Sequence, residues 1–189
     1  MRVATCTSTL FAALMLLTAL TVRADEYDET IAVFKKAGES ASFFSKSYGY
    51  AVFPTIGKGG LGVGAAHGTG RVYQKGKYVG DTTMNQLSVG LQAGGQAFSQ
   101  IIFFQDQRSF DEFTSGEFEF GANVQAIAIT ASAGASAGTS GTSAGASGGK
   151  NDAATVGSFN KGMAVFTVAK GGLKYEATVS GQKFKYKPL

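Results

Sequence analysis

The chain has 189 residues, a formal net charge of +4, 44% hydrophobic residues and only 16% charged ones. That length suits one domain, and fifteen Phe and seven Tyr are too many for a disordered chain. Seventeen basic against thirteen acidic residues, evenly spread, do not make the footprint of a nucleic-acid binder, and one His and one Cys cannot supply a four-ligand structural zinc site.

The chain opens with Arg2 and no acid, then an apolar run from Leu10 to Leu20, then a small-residue exit at Val22-Arg23-Ala24. This is the three-part pattern of a secretory signal, and the run is short for a bilayer span. We expect residues 1–24 to be a signal peptide cleaved after Ala24, with an N-terminal membrane anchor as the alternative. Cys6 precedes the run, so it is not placed as a lipoprotein cysteine. The expected location is the periplasm or cell envelope. The remaining chain, Asp25–Leu189, carries no cysteine and needs no oxidant to fold.

Asp25 to Lys46 reads as helix. Tyr27, Ile31 and Phe34 form one stripe of a 3.6-residue period, with acids in the first turn and lysines later. Gly38 is expected to interrupt it and leave a second short helix holding Phe43 and Phe44. From Tyr48 onward the pattern becomes short β runs broken by glycine. Tyr50–Phe53 is expected to end at Pro54. Leu61–His67 alternates with glycine, and Arg71–Gln74 and Lys77–Gly80 flank a Lys75-Gly76 hairpin turn. Leu87–Ala97 reads as a strand with Leu87, Val89, Leu91 and Ala93 on one face and glycines 90 and 94 on the other. Ile101–Phe104 is a fully apolar strand. Ser109–Thr114 is a short helix with Phe110 and Phe113 inward. Phe118–Thr130, Gly162–Lys170, Leu173–Val179 and Lys183–Lys187 continue the β pattern. The Gly/Ala/Ser tract from Ala131 to Gly149, and on to Asp152, holds nothing useful to bury and reads as a flexible loop. The expected fold is α+β: a mostly antiparallel, twisted or barrel-like sheet with an N-terminal helix and a short internal one, forming one domain over residues 25–189.

Few motifs carry chemistry. Gly57–Gly62 matches G-x-G-x-x-G, but dinucleotide binding needs a helix to open at the glycines, and here the pattern continues as strand. G-x-S-x-G recurs around Ser136, Ser143 and Ser147 inside one low-complexity tract, as composition alone produces, and the only His is His67. His67 reads as a strand-end imidazole. Asp106, Asp111, Glu112, Glu117 and Glu119 lack calcium-loop spacing. No catalytic residue, metal site or cofactor is expected. Lys183, Lys185 and Lys187 alternate with Phe184 and Tyr186. They are either a strip for lipid phosphates or the protective lysines of an edge strand.

Gly49-Tyr50-Ala51-Val52-Phe53-Pro54, Lys58-Gly59-Gly60-Leu61-Gly62-Val63-Gly64, Gly68, Gly70 and Ser88-Val89-Gly90-Leu91-Gln92-Ala93-Gly94 occur in this order, followed by Asn160-Lys161-Gly162. Together they resemble the SYLF lipid-binding domain family, which includes eukaryotic actin-patch and phosphoinositide-binding proteins and many exported bacterial ones. The resemblance implies a compact β-rich domain packed with helices, no catalytic activity, and membrane-lipid binding. Two departures weigh against phosphoinositide specificity and actin binding. Asp81–Gln86 stands where the family commonly has a tryptophan-serine segment, and the first helix begins with four acids. The expected partner is anionic phospholipid or a membrane surface. Lys35, Lys36, Phe43, Phe44 and Lys46 are the first candidate contacts, as a cationic rim around an inserting apolar edge, and the Lys183, Lys185 and Lys187 strip is the second. The alternative is a periplasmic module that meets protein partners through its sheet edges and the Ser/Gly loop.

Overall fold

The structure, a computed structural model, describes residues 26–61, 63–89, 95–121, 126–129, 159–170 and 181–189. Helix α1 covers residues 26–36, and Ala37 in an extended conformation separates it from α2 (Gly38–Ala41) and α3 (Phe43–Lys46). The strands are β1 (Gly49–Leu61), β2 (Val63–Gln74), β3 (Lys77–Val89), β4 (Gln96–Phe104), β5 (Glu117–Glu119), β6 (Ala126–Ile129), β7 (Met163–Ala169) and β8 (Gln182–Pro188). Helix α4 (Gln107–Thr114) lies between β4 and β5. It starts on a reciprocal cap. The Asp106 carboxylate accepts from the Ser109 N–H at 2.8 Å, and the Ser109 hydroxyl oxygen accepts from the Asp106 N–H at 3.3 Å.

All eight strands form one sheet in the order β5-β8-β3-β2-β1-β4-β7-β6, antiparallel except for the β6–β7 pair. The sheet curls into a half-barrel. Across its interior Gln100 on β4 and Gln182 on β8, both fully buried, exchange two side-chain hydrogen bonds of 2.9 and 3.1 Å. The amides satisfy each other where either one alone would be a costly buried polar group. Around them the inner core gathers Phe53, Ile56, Met84, Phe98, Ile102, Phe104 and Phe184, closed at one end by Phe110 and Phe113 of α4. A second core lies on the outer face. There Tyr27, Ile31 and Phe34 of α1 and Phe43 of α3 pack on Val52, Ile101, Phe103, Phe166 and Val168. Central strands β4 and β7 are thus covered on both sides, which is why Ile101–Phe104 reads as an unbroken apolar run.

The α+β class, the α1 stripe, the short internal helix and the β2–β3 hairpin match the expectations. That hairpin turns through Lys75 at φ 49° and Gly76 at φ 79°, the double left-handed turn that suits strand twist. Four expectations are corrected. Pro54 does not end its strand: β1 runs on to Leu61 through a register shift between Val52 and Ile56, a bulge where the missing proline N–H costs no ladder bond. Leu87–Ala97 falls on two strands, since Leu87–Val89 pair with β2 in β3 while Gln96 and Ala97 pair with β1 in β4, and residues 90–94 between them lie outside the described residues. Phe118–Thr130 splits into β5 and β6, which occupy opposite edges of the sheet. The terminal strand β8 is not an edge, because β3 and β5 flank it. The expected signal peptide, the 131–152 tract with its three G-x-S-x-G matches, and the 173–179 strand lie outside the described residues.

Glycine is required where β2 passes under the inner core. A Cβ on Gly70 would lie 2.7 Å from the Phe53 ring and 2.8 Å from the Val52 carbonyl, whereas one on Gly57 would meet nothing within 4 Å. Gly70→Ala is therefore expected to cost about 1–3 kcal/mol in urea unfolding, and Gly57→Ala to stay within about 0.5 kcal/mol of the parent.

Candidate functional site: an aromatic and cationic strip

Where the helices meet the outer face of β1 and β2, a row of half-buried rings reaches the surface. Phe44 of α3 stands edge-on to Tyr50 at 5.3 Å between centroids. Tyr50 stacks on Tyr73 of the neighbouring strand at 5.0 Å and 16°. Tyr73 in turn approaches Tyr78 of β3 at 5.9 Å. Strand alternation puts Tyr50 and Tyr73 on this face because they are direct cross-strand partners. Phe103 beneath, 4.9 Å from Phe44, ties the row to the outer core.

Cations frame the row. Lys35 Nζ lies 5.4 Å from the Phe44 ring centre. The Arg71 guanidinium is held between Tyr27 of α1 at 4.2 Å and Tyr78 at 4.9 Å, so one half-buried arginine clamps the first helix to the sheet. Lys75 Nζ lies outside this row, 5.2 Å from the ring of Tyr48, which packs on the inner core beside Phe110 and whose hydroxyl accepts from Gln74 Nε2 at 2.8 Å. Acids are present too: Asp81 is the cross-strand partner of Arg71 and accepts from the Tyr78 hydroxyl at 2.7 Å, and the Asp28 charge is felt by Tyr50 and Tyr73.

The environment keeps these hydroxyls neutral. Burial, then the neighbouring Tyr73, pushes the Tyr50 hydroxyl up to about 12. Tyr78 is pushed up to about 12 by desolvation and by its bond to Asp81. Tyr73 is raised by burial, with Arg71 pulling the other way.

The sequence-derived candidates are distributed unevenly over this surface. Lys35, Lys36 and Lys46 are exposed, and Lys35 and Phe44 belong to the strip. Phe43 does not face outward. It is 2% exposed, with its ring 5.0 Å from both Phe159 and Phe166 and 5.6 Å from Phe103, so it is a core anchor of α3 and no inserting residue. Lys183 and Lys185 are exposed but face acids across β5: Lys183 meets Glu119 at 3.6 Å and Lys185 meets Glu117 at 2.9 Å. Lys187 pairs in register with Asp81. The acids that cluster in the sequence thus separate into a helix cap (Asp106), an i,i+4 partner of Arg108 at 3.3 Å (Glu112) and these two cross-strand partners. His67 Nδ1 lies 2.8 Å from Asn85 Oδ1 on the adjacent strand. The G-x-G-x-x-G stretch lies along β1 up to the point where Leu61 pairs with Val63, with no helix following. Arg71, Tyr73 and Tyr78 were missed because they come together only when β2, β3 and α1 are assembled; β alternation alone marks Arg71 and Tyr73 as facing the same way.

Comparison with known proteins fits this architecture. A profile of the Ysc84 family, described as Las17-binding protein actin regulator, matches residues 85–185, just over half of the chain. The chain belongs to the Ysc84 family. The Ysc84 domain is the SYLF domain of the sequence resemblance. A second similarity is to Beta cell expansion factor A of Aeromonas veronii, 29% identical over 158 residues. The alignment takes in 82% of this chain and 51% of the relative, so the chain spans about half the length of that protein. The Ysc84 profile begins within β3 and runs into β8, whereas most of the aromatic strip lies before it, on α1, α3, β1 and β2.

The tyrosine environment sets a pH dependence. In the unfolded chain these hydroxyls ionise near 10, and in the fold Tyr50 and Tyr78 hold their protons to about 12. A raised native pKa contributes stability that is fully present below the unfolded value and is lost as pH rises through the native one. Stability is therefore expected to be insensitive to these groups up to about pH 10 and to fall between about 10 and 12. Tyrosinate absorbance should show a late-titrating class that shrinks in both Tyr50→Phe and Tyr78→Phe; ionisation of every tyrosine near 10 would contradict the burial argument.

Proposed function

We propose that this protein is an exported, non-catalytic binding domain that associates peripherally with anionic membrane lipid through the aromatic and cationic strip. The observation that supports this reading most directly is the row Phe44–Tyr50–Tyr73–Tyr78, half-buried and framed by Lys35 and Arg71. Rings with an apolar body and a polar tip suit the headgroup layer, and cations beside them suit phosphate. Family membership supports a lipid-facing role in general, and the leader-like N-terminus supports export. In the described residues no helix is long and apolar enough to cross a membrane, and association through a surface needs none. The helix-side lysines are favoured over the β8 strip because Lys183 and Lys185 already have carboxylate partners.

The test is sedimentation of the purified protein with phosphatidylcholine vesicles, with and without phosphatidylglycerol, at low and high salt. Binding is expected only with the anionic vesicles and should weaken as salt rises. At about 1 kcal/mol per lysine near an anionic surface, the combined change Lys35→Glu, Lys36→Glu and Lys46→Glu should lower affinity more than tenfold. Lys183→Glu with Lys185→Glu should lower it less. Absence of binding to either vesicle would favour the alternative, a module for protein partners.

A further inference from the structure

We infer that the projecting end of strands β1, β2 and β3 is a second lipid contact, a short apolar arm that enters the headgroup–acyl boundary of a bilayer. The inference rests on the lipid reading above and adds a separate site to it. Among the described residues, β1 last pairs with β4 at Lys58↔Gln96, and β3 last pairs with β8 at Gln86↔Gln182. Beyond those points only β1, β2 and β3 continue, through Gly59↔Ala65, Leu61↔Val63, Ala65↔Leu87 and Val63↔Val89. Four large apolar residues are exposed in the described chain, and two of them stand on this arm: Val63 at 63% and Leu87 at 80%. Among the described residues no core includes them. The outer surface beside them is bare too among the described residues, since a Cβ on Gly57 or Gly59 would meet nothing within 4 Å.

The same face is graded along its length. Toward the base, this face runs from Val63 and the Ala65↔Leu87 pair to the hydrogen-bonded His67–Asn85 pair, then Thr69↔Thr83, then Arg71↔Asp81. Apolar, polar and charged pairs succeed one another as the layers of a bilayer surface do. The strand rise gives the apolar stretch from Val63 to the buried Ala66 a length of about 10 Å, the depth at which interfacial segments lie. Deeper entry is opposed by the outer edges of β1 and β3 at the arm, which have no ladder partner among the described residues and whose backbone groups would lose water in hydrocarbon. A second copy of the chain is a poorer occupant. A stable interface buries roughly 800 Å² per partner, and among the side chains described on this arm two large apolar ones, Val63 and Leu87, are exposed.

The test uses vesicles of phosphatidylglycerol and phosphatidylcholine. Val63→Thr with Leu87→Thr places β-branched, strand-compatible residues at exposed positions, so folding is retained, and circular dichroism checks this. The pair is expected to weaken vesicle binding about tenfold or more. In a Cys6→Ser background, Val63→Cys and Thr69→Cys each carry one environment-sensitive fluorophore. The label at 63 should shift to the blue on vesicle addition and be quenched by shallow spin-labelled lipid, while the label at 69 stays in water. If the parent binds vesicles and neither the threonine pair nor the label at 63 responds, the arm is wrong and the strip reading stands. Cysteine cross-linking between copies through residue 63 without vesicles would overturn the arm in favour of self-association. A parent that binds no vesicles would overturn both readings.

Discussion

One extra residue in β1 sets the phase of the whole outer face. Both ladders of β1 shift register between Val52 and Ile56. Before the shift Ala51 and Phe53 belong to the inner core and Val52 to the outer one; after it Ile56 is inner and Gly57 is exposed. Because side chains alternate strictly along a strand, a regular β1 would turn Ile56 out to solvent and Gly57 into the core. Pro54 sits inside the irregularity, where its lack of an N–H is tolerated, and its carbonyl accepts from the Ser99 hydroxyl at 2.7 Å. Bulges bend strands and raise local twist, and this sheet is curled enough for β4 and β8 to meet through Gln100 and Gln182. The same irregularity seats the first helix. Thr55 donates to the Glu26 carboxylate at 2.8 Å, and Lys170 reaches both Thr55 at 2.5 Å and Glu26 at 3.5 Å.

With its phase fixed, one face of β1 and β2 runs through three surroundings. At one end is a margin where Tyr50 and Tyr73 are half covered and their hydroxyls stay neutral. Next, α1 and α3 cover Val52 with Tyr27, Ile31, Phe34 and Phe43. Past the bulge nothing in the described chain covers Gly57, Gly59 or Val63. The candidate lipid surfaces lie on either side of the helical cover, at the margin where it thins and at the end that it does not reach. They follow from short helices laid on a longer sheet.

Much of this was legible in sequence because it depends on local period. The Tyr27, Ile31, Phe34 stripe, the Lys75-Gly76 turn and the paired Phe110 and Phe113 each fit within about two turns of helix or one hairpin. What was not legible depends on partners far apart in the chain. Pro54 looks like a terminator unless β1 is known to bulge. The run from Phe118 looks like one strand unless its halves are known to pair with β8 and β7 at opposite edges. Phe43 and Phe44 are adjacent and chemically identical, yet one is buried under Phe159 and Phe166 and the other edges Tyr50. Only the docking angle of α3 separates them. Arg71 carried no signal in sequence because its significance lies in Tyr27 and Tyr78, on two other elements.

The two groups of lysines show why charge counted along a sequence misleads. Lys183 and Lys185 form the denser basic stretch, but alternation aligns them with Glu119 and Glu117 on the neighbouring strand, so the local field is largely cancelled at close range. Such exposed pairs contribute little to stability, yet an anion approaching them must compete with a carboxylate already present. Lys35 instead rests against a ring. A ring attracts a cation through its quadrupole without taking its hydrogen-bond donors. Lys35 keeps its donors for a phosphate while the ring fixes its position, whereas Arg71 is shared among its rings, Tyr73 and the cross-strand Asp81 and serves to clamp the first helix. That difference in neighbours, set by how the chain folds, favours the helix side of the strip over the terminal strand.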